Sequence, residues 1–251
     1  MADQEDTSKR GSSRVLELIE WMAQQSEPIA LSDAVRDLAW PKSTTLLLLR
    51  LLVQRGYAQQ DADQRYLLQR LPGEPSLGAP AWGTVVRMIR PILEEAVGAT
   101  LETGCIGILT VDMRLRYITK VLAHREIRYD RDISRTRIPH QTASGLTLLA
   151  GLDTSDLSAY LAQLNGADSA QVEAIRVSIE QSRKAGCTIN LEGHIEGAAG
   201  VAAPIMNSTG RCIAALNIAG PRERIEKNLD QILEATIDAA RKASDLIAKR
   251  Y

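Results

Sequence analysis

The chain has 251 residues, 45% hydrophobic and 24% charged, with a net charge of -1, so it can build two modest cores and is not a protein that coats nucleic acid without specificity. No apolar run is long enough to span a bilayer, and the acidic start lacks the basic-then-apolar pattern of a signal peptide, so a cytoplasmic protein with no membrane partner is expected. Cys105, Cys187 and Cys212 are too widely spaced for a disulfide framework or a zinc ribbon and are expected to be small buried hydrophobes.

Charge is spread unevenly: residues 9 to 70 carry nine Lys or Arg against seven Asp or Glu, while residues 71 to 251 balance at twenty-one each. Residues 1 to 11 hold too little apolar surface to offset the entropy of ordering them, and a flexible arm is expected there. From Ser13, the residues Val15, Leu18 and Met22, with Leu16, Ile19 and Ala23 beside them, form a helical stripe that stops before Ser26-Glu27-Pro28. Leu31 anchors the chain, and Ser32 is placed to cap a short second helix from Asp33 to about Leu38.

Trp40-Pro41 ends the turn. Pro41 suits the first position of a third helix, which runs through Lys42-Ser43-Thr44-Thr45 and a leucine-rich stretch to a closing Gly56. Tyr57 to Gln60 and Arg65 to Leu68 then flank the polar turn Asp61 to Gln64, as a two-stranded wing would. Residues 12 to 71 thus read as a winged helix-turn-helix, a DNA-binding arrangement.

If Thr45, Leu48, Leu49 and Leu52 turn inward at helical spacing, Leu46 and Leu47 fall on the groove side. There they either contact thymine methyls or pack against a partner helix. Direct contact with DNA is assigned to Lys42, Ser43, Thr44 and Arg50, with Arg10, Arg14, Arg55 and Arg65 joining Lys42 and Arg50 as phosphate partners. A single mildly basic module binds weakly, so a homodimer or a dimer of dimers on double-stranded operator DNA is expected.

Leu71 to Pro80 has the proline and glycine density of a linker, and Trp82 to Val97 carries an apolar stripe of Val85, Val86, Ile89, Ile92, Leu93 and Val97. Residues 72 to 98 therefore form a linker and connecting helix ahead of a second domain, residues 99 to 251. That domain opens with a hairpin, Leu101 to Val111 and Leu115 to Ala123. Next come Arg125, Arg128, Arg131, Arg135 and Arg137, interleaved with acids: a solvated loop, or a loop in which one arginine pairs with an anionic ligand.

Thr142 or Ser144 stands at the start of a helix running to Ala150, where free backbone N–H groups favour a carboxylate. Leu157 to Leu164 and Val172 to Ala185 are two further helices, the second closed by Gly186. Gly197 to Met206 and Cys212 to Ala219 then read as two paired strands around Asn207 to Gly210, and one long helix from about Arg222 ends the chain. Strands with covering helices make the chain α+β.

No catalytic residue is assigned. His140 lies four residues before Ser144, but Ser144 has no nucleophile elbow and no acid is placed to orient the histidine. Cys187, Glu192, His194 and Glu196 are metal-ligating types, yet Gly193 and Gly197 interrupt any shared strand face, so solvated charges are expected and no metal is assigned. The glycine-rich segment matches neither phosphate-loop pattern, and no cofactor is expected.

Several of these segments resemble one family. Gly186-Cys-Thr-Ile-Asn-Leu-Glu192, Glu196-Gly197, Val201-Ala-Ala-Pro-Ile205, Gly210-Arg211 and Ala214 to Pro221 resemble the effector-domain signature of the IclR family of bacterial transcriptional regulators. Pro41-Lys-Ser-Thr44 resembles the family's opening of the third helix, and Thr142-Ala-Ser-Gly145 after a proline resembles its effector-domain helix start. The resemblance covers most of the chain and implies a GAF-like second domain whose antiparallel sheet and flanking helices hold a ligand pocket.

It further implies a transcriptional regulator whose operator binding is modulated by a small carboxylic acid, controlling a catabolic operon. The effector would sit near Thr142, Ala143, Ser144, Gly145, Asn190, Gly200, Asn217 and Ala219. Two departures stand out: the arginine usual in the third helix is missing, leaving Leu46 and Leu47, and Asn217 and Ala219 replace small hydroxyl residues. The first motivates an alternative, a sensory or protein-interaction module whose winged helix no longer reads DNA specifically.

Overall fold

The computed structural model describes residues 2–25, 27–61, 63–72, 82–164, 168–192 and 195–249, with side chains described from Ser13 onward. The chain divides into two compact units, Met1–Met88 and Ile89–Tyr251.

In the first unit, α1 (Ala2–Ala23), α2 (Leu31–Leu38) and α3 (Lys42–Gln54) precede the short strands β1 (Ala58–Gln60) and β2 (Tyr66–Leu68). Leu18, Ile19 and Met22 of α1 meet Ala34 of α2, Leu49 and Leu52 of α3, and Tyr66 and Leu68 of the wing in one buried cluster. The helical spacing of these apolar residues is what points them to one centre. The wing pairs antiparallel, Gln59 opposite Leu67, and Ile29 adds a further bridge to Tyr66. Asp61 accepts from the amides of Asp63 and Arg65 and so shapes the turn between the strands.

Two local expectations are corrected. α1 extends back to Ala2, across the residues read as an arm, because a helix once packed propagates at the cost of ordering one residue for each hydrogen bond gained. Ser32 does not cap α2; Ala30 is the N-cap residue, and its N–H donates to the Asp33 carboxylate at 2.9 Å, an acid in the first turn replacing a cap hydroxyl.

The stretch read as a linker lies, from residue 73 to 81, outside the described residues. α4 (Trp82–Thr100) follows, and the division between the units falls within it.

The second unit is built on a five-stranded antiparallel sheet in the order β4-β3-β7-β6-β5, with β3 Thr103–Leu109, β4 Leu115–Val121, β5 Thr188–Asn190, β6 Ala198–Met206 and β7 Cys212–Pro221. β5 is a strand the apolar pattern did not reveal, being only three residues long. α5 (Ala143–Ala150), α6 (Thr154–Ala162) and α7 (Ser169–Ala185) lie between β4 and β5, and α8 (Arg222–Lys227) and α9 (Leu229–Ala248) end the chain. The single terminal helix expected from Arg222 is thus two, broken at Asn228, whose φ of -116° leaves the helical region and whose amide bonds back to the Arg224 carbonyl.

Alternation along each strand separates the two faces. Gly104 lies against Leu93 and Val97 of α4, and the amide of Met206 donates to Ser244 of α9, so α4 and α9 cover one face. On the other, Gly107 lies against Ser144, and Thr147 of α5 donates to Thr188 at 2.8 Å, so α5 covers that side. α6 and α7 pack outside α5 through Leu157, Tyr160, Leu161 and Ile179.

Candidate functional site

Strand register assembles the floor of a cleft. Asn190 is opposite Gly200, Gly200 opposite Ala219, and Ala219 opposite Thr103, a row of four strands across the sheet. Two residues along, Asn217 lies opposite both Ala202 and Cys105 and so points to the same face. A Cβ at Gly200 would stand 3.0 Å from Asn217 Oδ1, so glycine leaves the room that this carboxamide uses.

α5 supplies one wall. Thr142 is its N-cap, its Oγ1 accepting from the Gly145 amide at 3.0 Å. Thr142 and Ala143 line the cleft together with Asn190, Gly200, Asn217 and Ala219, so six of the eight residues assigned to an effector by resemblance converge on one space. The cleft opens to solvent, and its enclosed part is small, about 40 Å³.

Ser144 and Gly145 sit elsewhere. Ser144 is wholly buried, its Oγ 3.2 Å from the Tyr117 hydroxyl. Gly145 is packed on the 3-10 turn Pro139–Gln141, where a Cβ would come within 2.1 Å of the Pro139 carbonyl oxygen. His140 does not face Ser144: its Nδ1 is 2.7 Å from the Tyr160 hydroxyl, and burial holds its pKa below the ordinary 6.5.

Sequence reasoning missed Tyr117, Tyr129, Gln141, Ile195, Ala198 and Ala199, which also line the cleft, and had singled out Arg131 only as one of five arginines. The loop carrying Tyr129 and Arg131 is tied to the sheet by its backbone, Thr103 Oγ1 donating to the Tyr129 carbonyl and Lys120 Nζ to the Arg131 carbonyl. Lys120 also pairs with Asp130. The Arg131 guanidinium lies 5.7 Å from the Tyr117 ring centroid. Burial pushes the Tyr117 phenol up to about 12, and burial also raises Tyr129 against the opposing pull of Arg131, so both are neutral near pH 7. For Tyr129 and Arg131 a signal existed only in space, since aromatic and arginine positions in an irregular loop carry no periodicity, whereas Tyr117 lies on the inward-facing alternation of β4.

Among the described residues no cluster of His, Cys, Asp or Glu could hold a metal ion. His194 lies outside them, and Glu192 and Glu196 are exposed in turns. No helix among the described residues is long and apolar enough to cross a membrane.

In the first unit, Thr45, Leu49 and Leu52 of α3 are buried, and Leu48 packs beside them. The opposite face presents Lys42, Ser43, Leu47 and Arg50, all exposed, with Thr44 and Leu46 half-buried at its margins. Leu47 is 67% exposed, an apolar side chain with no cover from its own unit. Arg55 is exposed at the end of α3 and Arg65 in the wing. Arg14 is half-buried with its guanidinium 5.8 Å from the Trp40 ring, whereas the side chain of Arg10 lies outside the described residues.

A winged helix-turn-helix with a basic-edged third helix, on the same chain as an α+β unit that encloses a cleft, defines a DNA-binding transcriptional regulator. The chain matches the family described as bacterial transcriptional regulator IclR, C-terminal, over residues 83–245, and the IclR helix-turn-helix domain over residues 13–62. It belongs to the IclR family. Among curated relatives, the regulator BhcR of Paracoccus denitrificans is 25% identical over 248 residues, covering 96% of this chain and 88% of that protein. The transcriptional repressor IclR of Escherichia coli is also 25% identical, over 228 residues, 85% of this chain and 80% of that one. In fold, the chain matches the crystal structure of an IclR homolog from Microbacterium hydrocarbonoxydans complexed with 4-hydroxybenzoate, with a TM-score of 0.59, 21% identity and coverage of 95% and 99%. These relatives are regulators and repressors, and the protein is a regulator rather than an enzyme.

Proposed function

We propose that the protein controls a catabolic operon by binding operator DNA as a homodimer or a dimer of dimers, and that a small organic acid held in the cleft of the second unit changes that binding. The observation that carries this reading is the convergence of Thr142, Ala143, Asn190, Gly200, Asn217 and Ala219, from four separate elements, on one cleft. The 4-hydroxybenzoate bound to the Microbacterium homolog supports an organic acid as the ligand class. Lys42, Ser43, Thr44, Leu46, Leu47 and Arg50 form the DNA-facing side of α3, with Arg10, Arg14, Arg55 and Arg65 as phosphate partners. The ligand acts by preferring one of two dimer geometries, because only differential affinity shifts an equilibrium.

The test is a fluorescence-polarisation titration of the full chain against its own upstream intergenic DNA at two salt concentrations, with and without small carboxylic acids. The expected result is saturable, sequence-preferring binding that weakens steeply with salt and is shifted by at least one acid. The exposed Leu47 supports a second reading, a sensory or protein-interaction module whose winged helix has lost specific readout. Equal affinity for operator and random DNA at both salts would favour it.

A further inference from the structure

The cleft contains a half-buried cation with one unpartnered edge. Arg131 is the sole charged side chain among the described residues that line it. Its Nε and Nη2 are both shielded from solvent, and neither has a hydrogen-bond partner. These two nitrogens form one edge of the guanidinium, the fork whose two parallel N–H bonds match the two oxygens of a carboxylate. A buried donor without a partner is costly, and a buried cation more so, which makes the pair an uncommon feature unless something completes it.

Some of the other candidate donors are already engaged. The start of α5, where sequence reasoning put the carboxylate, has its Gly145 amide bonded to Thr142 Oγ1, its Thr142 amide to the Pro139 carbonyl and its Leu146 amide to the Thr142 carbonyl. Lys120, another cation on the sheet, is held by Asp130 and by the Arg131 carbonyl. That carbonyl contact fixes the Arg131 backbone independently of its side chain, and the Nε and Nη2 edge of the guanidinium is left for a ligand.

We infer that Arg131 is the specificity-determining anchor of the cleft, taking the carboxylate of a small monocarboxylic acid in a bidentate pair while the Tyr117 and Tyr129 rings bound its body. This rests on the effector reading above and adds to it the group that selects the ligand. Among the described residues, one fork and no second charged side chain on the wall select a single carboxylate, since a second would meet only neutral groups. The neutral phenols and the carboxamides of Gln141, Asn190 and Asn217 suit a hydroxyl or an apolar ring and leave the anion to Arg131.

The experiment is isothermal titration of the full-length protein with acetate, pyruvate, benzoate and 4-hydroxybenzoate, and with benzamide and phthalate as a neutral and a doubly charged match to benzoate. It is run on the wild type, Arg131→Gln and Arg131→Lys, each melted without ligand. The wild type is expected to bind at least one monocarboxylate, and to prefer benzoate over benzamide and phthalate if benzoate is that acid. Arg131→Gln is expected to bind it about 10- to 100-fold more weakly, and to lose any preference over the amide. Arg131→Lys, which keeps the charge but not the fork, should fall between.

Ligand-free Arg131→Gln should melt close to wild type, because the Nε and Nη2 edge of this half-buried arginine has no partner in the protein; a merely structural arginine would lower it. Wild-type binding left unchanged in Arg131→Gln overturns this inference and leaves the effector reading standing. Failure of the wild type to bind any of the acids overturns both.

Discussion

Glu102 is 1% exposed, yet it is a carboxylate, and Arg224 resolves the conflict by donating Nε and Nη2 to its two oxygens at 2.6 and 2.9 Å. The pair joins the chain just before β3 to α8, and a Cβ at Gly220 would come within 2.3 Å of Glu102 Oε2, so glycine is needed on β7 beside it. Replacing Glu102 by Gln removes the charge that the arginine answers. Because Arg224 keeps partial access to water, the expected loss is about 1.5–3 kcal/mol, less than a fully buried pair would forfeit, and chemical denaturation of the second unit measures it. Gly145→Ala tests a different cause: the added methyl meets backbone at Pro139 that cannot rotate away, and a loss of about 1–3 kcal/mol is expected. If Gly145→Ala instead melted like wild type while altering acid binding, its place would be in the ligand shell.

At the scale of the element, α3 divides its work by face. Thr45, Leu49 and Leu52 hold the helix in the first unit, and Lys42, Ser43, Leu47 and Arg50 are left for a partner. Charge and shape then make separable predictions. Arg50→Ala should weaken binding to all DNA sequences alike and reduce the slope of log affinity against log salt by about one. Leu47→Ala should leave the slope unchanged and reduce the preference for operator over random DNA, if the side chain meets a thymine methyl. Polarisation titrations across a salt series read both quantities at once, and a change in slope for Leu47→Ala would contradict the division.

At the scale of the whole molecule, the proposed function requires ligand and DNA to be coupled through the protein, and such coupling is reciprocal. An acid that lowers operator affinity by some factor should itself bind more weakly, by the same factor, to the protein saturated with operator. Calorimetry with and without DNA checks the equality, and unequal factors would mean that the acid also acts outside this two-state scheme. Ligand at about 100 times its dissociation constant should stabilise the second unit by about 2.7 kcal/mol, seen as a rise in its melting temperature.

Local chemistry determined what the sequence could reveal alone. The 3.6-residue spacing of Leu18 and Met22, the closing turns at Gly56 and Gly186, the Thr142 cap and the hairpin turn between β6 and β7 all act within a few residues, so they are legible in order along the chain. Tertiary structure alone decided the rest. Three residues of β5 become a strand because β6 offers them an edge, and helices α8 and α9 separate because Asn228 turns where the sheet ends. Tyr129 and Arg131 reach the cleft because Thr103 and Lys120 hold an irregular loop over the sheet. Periodicity records which side of an element faces inward; it cannot record which distant loop closes over that side, because that contact is settled by packing and by the hydrogen bonds buried groups must find.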